Sequence, residues 1–189
     1  SLMVREMVAK GLANDDGIEV LGTASDAFVA RDKILQLEPD VLTLDVEMPR
    51  MNGIEFLKKL MPQYPLPVVM VSAVSDHVFD ALNAGAVDFV VKPDTKGEKS
   101  FDSFINELII KIKIASMAKV GHLKKDYVGT ELTRGVGATS NNTMIAIGAS
   151  TGGTEAIYEI IRALPRDMPG IVVVQHMPPV FTAMYAQRL

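Results

Sequence analysis

The chain has 189 residues, 48% of them hydrophobic and 22% charged, with a formal net charge of -4 and no cysteine. That balance fits a globular protein and argues against disorder. It offers no basic or aromatic groove for nucleic acid, and it excludes disulfides, thiolate zinc sites and a cysteine nucleophile, in keeping with a reducing cytosol.

The longest apolar runs, such as Val68–Val71 and Ile171–Val174, fall far short of the roughly 18 residues of a membrane span. No signal-peptide pattern opens the chain. Ser1 is not a natural start residue, which implies processing or truncation at this end.

In chain order, Leu2 to Ala13 carries Leu2, Met3, Val4, Met7, Val8 and Leu12 at helical spacing. Ile18 to Ala24 reads as a strand. Ser25 and Asp26 can cap a helix running to Leu37, with Phe28, Val29, Ile34 and Leu37 as its buried stripe. Val41 to Leu44 is a short buried strand, Gly53 to Met61 a helix stopped by Pro62, and Val68 to Val71 another strand. Asp76 to Ala84 is a helix closed by Gly85. Asp88 to Val91 is a strand, and Phe101 to about Met117 a long amphipathic helix. Strands alternating with helices imply a parallel, doubly wound α/β sheet.

From about Ser116 to Asn142 the character changes. Lys119, Lys124, Lys125 and Arg134 outnumber Asp126 and Glu131, and Gly135 to Asn142 is small and polar. This is the composition of a linker. The β-α-β rhythm restarts at Thr143 with a strand to Gly148, a helix from about Gly153 to Leu164 and a strand from Ile171 to Val174. A further segment runs from Pro179 into a helix at Leu189. The expected organisation is residues 1–115, a linker over 116–142, and a second domain beginning at 143–189.

Three strand ends converge in the first part. Asp45, Ser72 and Lys92 each close a strand, and ligands of open α/β sheets bind at those ends. A phosphoryl group on the carboxylate needs this set: the lysine neutralises charge, the hydroxyl donates a hydrogen bond, and a divalent metal shields the rest. Each residue alone has an ordinary reading, as a turn residue, a helix cap or a surface lysine. The strings Leu42–Gly53 (LTLDVEMPRMNG), Val71–Ala73 (VSA) and Ala84–Pro93 (AGAVDFVVKP) occur together and in order. They resemble a response-regulator receiver domain over about Ser1 to Lys113.

The resemblance implies a flavodoxin-like fold, Asp45 as phosphoacceptor, Ser72 as switch hydroxyl and Lys92 as charge partner. It implies Mg2+ held by Asp45 and the backbone carbonyl of Glu47, and Phe89 at the position of a rotating aromatic. Receivers begin with a strand ending in two acids, and Ser1 stands where that pair ends. In the family's strand order of 2-1-3-4-5 the missing strand is central. Its loss leaves a gap of roughly 9.6 Å, two inter-strand spacings. The expectation is a chain that folds poorly or is phosphorylated inefficiently.

The second constellation is Gly148-Ala-Ser-Thr-Gly152, a glycine-x-serine-x-glycine turn between strand and helix. Glycines permit the sharp turn that exposes Ser150, and the helix start offers N–H groups to an oxyanion. His176 ends the next strand and can take the serine proton. Competing readings are an N-cap pair at Ser150-Thr151, a phosphate cradle and a structural histidine. No G-x-x-x-x-G-K or G-x-G-x-x-G supports the cradle. His77 and His122 have no acid or nucleophile beside them in sequence and read as a helix face and a linker.

The longer strings Ile147–Ile157 (IGASTGGTEAI) and Gln175–Pro178 (QHMP), with Phe181 and Thr182, resemble the start of the catalytic domain of chemotaxis protein-glutamate methylesterases, the CheB family. Receiver, linker and serine motif follow the family's order, so the resemblance spans the chain. It implies Ser150 as nucleophile, His176 as base and Thr151 in support, with no cofactor for the esterase step. It implies cytoplasmic hydrolysis of glutamyl methyl esters, and deamidation of glutamines, on chemoreceptors in membrane-bound arrays, with a chemotaxis histidine kinase as phosphodonor. The family's third catalytic residue is an aspartate far downstream, and no segment before Leu189 matches it. Disabling such an acid costs roughly 10⁴-fold in a serine protease, so this stretch alone is expected to be inactive. A non-catalytic receiver-type module that binds receptor or kinase is the alternative.

Overall fold

The computed structural model describes residues 2–73, 78–93, 100–118, 120, 143–165, 167–177 and 179–189. His77, His122, Pro178 and nearly all of the expected linker lie outside them. The chain divides into two compact units, Ser1–Gly121 and His122–Leu189.

The first unit runs α1 (Leu2–Leu12), α2 (Ala27–Leu37), β1 (Leu42–Asp45), α3 (Gly53–Leu60), β2 (Val68–Ser72), α4 (Val78–Asn83), β3 (Asp88–Val91) and α5 (Phe101–Ala115). Its three strands are parallel in the order β1-β2-β3, with Asp45 opposite Val71 and Ser72 opposite Val91. Every residue of β2 is buried, as a continuous apolar run in a two-sided sheet requires. Val69 and Val71 pack with Leu12 of α1 and with Phe104, Ile105 and Leu108 of α5. The period of two sends Val68 and Met70 to the opposite face, and Leu57 and Leu60 of α3 and Leu82 of α4 are also buried.

Local chemistry sets the helix starts. The Asp26 carboxylate accepts the N–H groups of Phe28 (3.0 Å) and Val29 (3.1 Å). The Asn52 side chain accepts the N–H of Glu55 (2.8 Å) at the start of α3. Gly85 follows α4 with φ 105°, a left-handed conformation that glycine adopts without penalty.

Two expectations are corrected. Residues 18–24 form no regular strand. A strand exists by pairing, and among the described residues none pairs with this segment or with the free edge of β1. Instead a cavity of about 460 Å³ is lined by Ile18, Val20, Leu21, Leu42 and Leu44, with Asp45 and Lys92 also at its wall.

In α2 the buried face is Ala27, Ala30 and Ile34, while Phe28 and Val29 are 47% and 37% exposed. Positions 27, 30 and 34 share one side at the i, i+3, i+7 spacing.

The second unit runs β4 (Met144–Ala149), α6 (Gly153–Ala163), β5 (Gly170–Gln175) and α7 (Pro179–Arg188). β4 and β5 pair in parallel from Met144 opposite Gly170 to Ala149 opposite Gln175. α6 buries Gly153, Thr154 and Ile157. α7 is anchored by buried Phe181, by the Tyr185 hydroxyl donating to the Thr154 carbonyl (2.9 Å) and by Arg188 on Glu155 (2.6 Å). Both strands alternate between half-buried and exposed residues.

Candidate functional site

The sheet register of the first unit brings three of the expected residues to one edge. Asp45 and Ser72 are the last residues of neighbouring strands, and Lys92 follows the third. The Lys92 ammonium lies 2.6 Å from Asp45 Oδ2, and the Glu47 N–H donates to Asp45 Oδ1 at 3.0 Å. Ser72 is buried, and its carbonyl accepts the Lys92 N–H at 2.8 Å, which ties the second strand end to the third. Asp45 thus presents a carboxylate already neutralised by a cation, at the wall of the 460 Å³ cavity.

Gly53 fixes the approach of α3 to this edge. Its N–H donates to the Val46 carbonyl at 2.9 Å, and a Cβ there would collide with the Asp45 carbonyl group.

Magnesium finds only part of a site here. Of the expected ligands, Asp45 has its carboxylate paired with Lys92, and the side chain of Glu47 is exposed. Among the described residues no three of His, Cys, Asp or Glu gather around a metal position. Asp26, which also lines the cavity, is committed to capping α2. These residues do not compose a magnesium site by themselves.

Phe89 is buried in β3 under a cation that sequence reasoning missed. Lys111 of α5 is itself buried. Its ammonium contacts Asp88 (2.7 Å) and the Phe89 carbonyl (2.7 Å) and stands 5.1 Å from the Phe89 ring centroid. A signal was present: positions 104, 108, 111 and 115 form one helical stripe, and a lysine interrupts its apolar residues.

In the second unit, Ser150 and His176 each follow the last paired residues of adjacent parallel strands, Ala149 and Gln175. Both are exposed. The turn is closed by the Gly153 N–H on the Ser150 carbonyl (2.8 Å), and Gly152 takes φ 73°. Gly152, without a side-chain cap, is the N-cap of α6, so Ser150 and Thr151 are not the capping pair of the competing reading.

The register brings the serine and histidine to neighbouring strand ends, yet among the described residues no hydrogen bond joins their side chains. Gln175, the residue before His176, bridges the two strand ends. Its amide donates to the Ser150 carbonyl at 2.7 Å and contacts the His176 carbonyl at 3.3 Å.

A lysine-paired aspartate at the carboxyl edge of a parallel sheet, with a serine turn at the edge of a second one, defines a signalling receiver coupled to the beginning of a serine hydrolase. The comparisons with known proteins agree with that class. The response regulator receiver domain family matches residues 1–99, and the CheB methylesterase family matches residues 145–189.

A protein-glutamate methylesterase/protein-glutamine glutaminase of Syntrophomonas wolfei is 59% identical across the whole chain, which covers 55% of that protein. One from Syntrophotalea carbinolica is 53% identical, with 56% of it covered. The response regulator domain of Thermotoga maritima CheB superimposes with a TM-score of 0.58 at 36% identity, over 62% of this chain and 91% of that one. The chain belongs to the response-regulator receiver family and, through its second unit, to the CheB methylesterases. It spans about half the length of the curated relatives it matches. No helix among the described residues is long and apolar enough to cross a membrane.

Proposed function

We propose that the protein to which this chain belongs hydrolyses glutamyl methyl esters on chemoreceptors, under control of phosphorylation at Asp45. Glutamine deamidation at the same site would follow the same acyl chemistry. The observation that carries the reading is the parallel pairing of Ala149 with Gln175, which sets Ser150 and His176 side by side at one sheet edge before the start of α6.

His176 takes the Ser150 proton as Oγ bonds to the ester carbonyl carbon. The oxyanion is held by backbone N–H groups after the serine. The C–OCH₃ bond breaks, and His176 returns the proton to the departing methoxide, releasing methanol. Water, deprotonated by His176, cleaves the acyl-enzyme to a glutamate carboxylate and free Ser150. Thr151 supports the turn. In the family this chain resembles, an aspartate further downstream has the role of orienting the histidine.

In the receiver, residues 1–115, the P–N bond of a phosphohistidine on a chemotaxis kinase breaks as a P–O bond to Asp45 forms. Lys92 then pairs with the phosphoryl charge, Ser72 donates to it and Phe89 repacks. Magnesium, which receivers as a class require, would draw on Asp45 and the Glu47 carbonyl. Residues 116–142 link this unit to the catalytic part beginning at 143, and the cytoplasm, at receptor arrays, is the setting.

The test is methanol release from methylated chemoreceptors by the protein with its whole natural reading frame. Ser150→Ala is expected to lower turnover by roughly 10⁴-fold or more, and Asp45→Ala to abolish stimulation by phosphodonor. A wild type that releases no methanol, with Ser150→Ala indistinguishable from it, would mark a non-catalytic receiver-type module.

A further inference from the structure

Gln175 touches both halves of the proposed esterase site without belonging to the serine–histidine pair. Its Nε2 donates to the Ser150 carbonyl (2.7 Å) and reaches the His176 carbonyl (3.3 Å), so one amide group spans the two strand ends. The Ser150 carbonyl also accepts the Gly153 N–H (2.8 Å) and is therefore held by two donors.

Space has been left for this side chain. A Cβ on Gly153 would collide with Gln175 Oε1 and come within 2.5 Å of Ala149 Cβ. Oε1 itself is buried without a hydrogen-bond partner among the described residues, and an unsatisfied buried acceptor is destabilising. A leucine or methionine would fill the space without that cost, but only the amide brings a donor to both carbonyls.

A trans peptide fixes the consequence. The chain has no cis bond among the described residues, and in a planar trans peptide the carbonyl and the following N–H point in opposite directions. Holding the Ser150 carbonyl toward Gln175 aims the Thr151 N–H the other way, out of the turn. We infer that Gln175 is a positioning residue of the esterase site: it orients the Ser150–Thr151 peptide so that the Thr151 N–H is ready for the oxyanion, and it holds the serine and histidine strand ends in register. The inference rests on the esterase reading above.

The experiment uses the protein with its whole reading frame and methylated chemoreceptor. It compares Gln175→Met, which keeps the shape and loses the donor, with Gln175→Glu. Melting curves establish that each variant is folded. Gln175→Met is expected to lower kcat by about 10- to 100-fold with KM little changed, since misplacement of about 1 Å at a reacting centre costs up to 10²-fold. Its kcat relative to wild type should be flat with pH.

Gln175→Glu should be worse at neutral pH, where the carboxylate faces two carbonyls. Relative to wild type it should recover as pH falls, because the protonated carboxyl regains a donor. A purely structural glutamine would not produce that divergence. Wild-type kcat in both folded variants, or parallel pH profiles, would overturn the assignment while leaving the esterase reading intact. If Ser150→Ala hydrolyses as fast as wild type in the same assay, the esterase reading fails and the positioning role falls with it.

Discussion

Val68–Ser72 (VVMVS) is buried at every position, whereas Gly170–Gln175 (GIVVVQ) alternates between exposed and half-buried ones. The two runs are nearly equal in apolar content and both lie in parallel sheets, where such runs are ordinarily covered on both faces. β2 has α1 and α5 on one side, and residues of α3 and α4 are buried as well. In β5, Val172 and Val174 remain 46% and 68% exposed, and in β4 Met144 is 68% exposed. An apolar run states that a strand needs cover; the helices supplied around it decide whether the need is met. Full burial of a valine contributes about 1.5–3 kcal/mol, and the second unit forgoes most of that on its open face.

The contrast can be broken most severely at the buried ion pair of the first unit. Lys111→Ala leaves Asp88 buried without its ammonium and should cost about 3–5 kcal/mol, read by urea unfolding. The matching pair of the second unit, Arg188 with Glu155, is more open, so Glu155→Ala should cost markedly less. Equal losses would contradict the difference in burial.

Next in size, Met70→Ala, at a side chain only 1% exposed, should destabilise by about 2–5 kcal/mol. Val174→Ala should stay within about 0.5 kcal/mol in this chain. A large loss at Val174 would mean that something covers the open face.

Asp26→Ala removes the cap of α2 and should cost about 1 kcal/mol. It also tests an acid limb. The Val29 N–H, with help from the Phe28 N–H and the Arg50 charge, holds the Asp26 carboxyl below its ordinary value despite burial. A lowered folded-state value means that the stabilisation is fully present above the unfolded value of about 3.9. It is lost as pH falls through the lower folded value. Asp26→Asn, which keeps a capping oxygen without the charge, should flatten that part of the pH–stability curve. Smallest of all, Phe28→Ser on the exposed side of α2 should change stability by no more than about 0.5 kcal/mol.

The strand-end residues were legible because each closes an apolar run beside a turn signal, and parallel pairing then brings Asp45 and Lys92 to 2.6 Å. Ser150 and His176 were legible for the same reason. Residues 18–24 were misread because a strand needs a neighbour, and no window of local sequence reports whether one is present. Phe28 and Val29 were misassigned because the buried face of α2 is held by the small Ala27 and Ala30 together with Ile34, and a stripe drawn through the large apolar residues misses it. Lys111 and Gln175 escaped because their roles are set by distances between elements, across 22 residues to Phe89 and 25 to Ser150.

Gly53 carries a consequence for how this protein tolerates change. Its bare Cα sits against the backbone of the strand end that holds Asp45, at a spot where even one methyl group meets main chain rather than a movable side chain. In a library carrying all twenty amino acids at this site and sorted for folded protein, glycine should be nearly the sole survivor. The exposed Glu55, two residues on, should accept most alternatives. Position 53 is therefore a place where drift is barred by geometry before any selection on signalling begins.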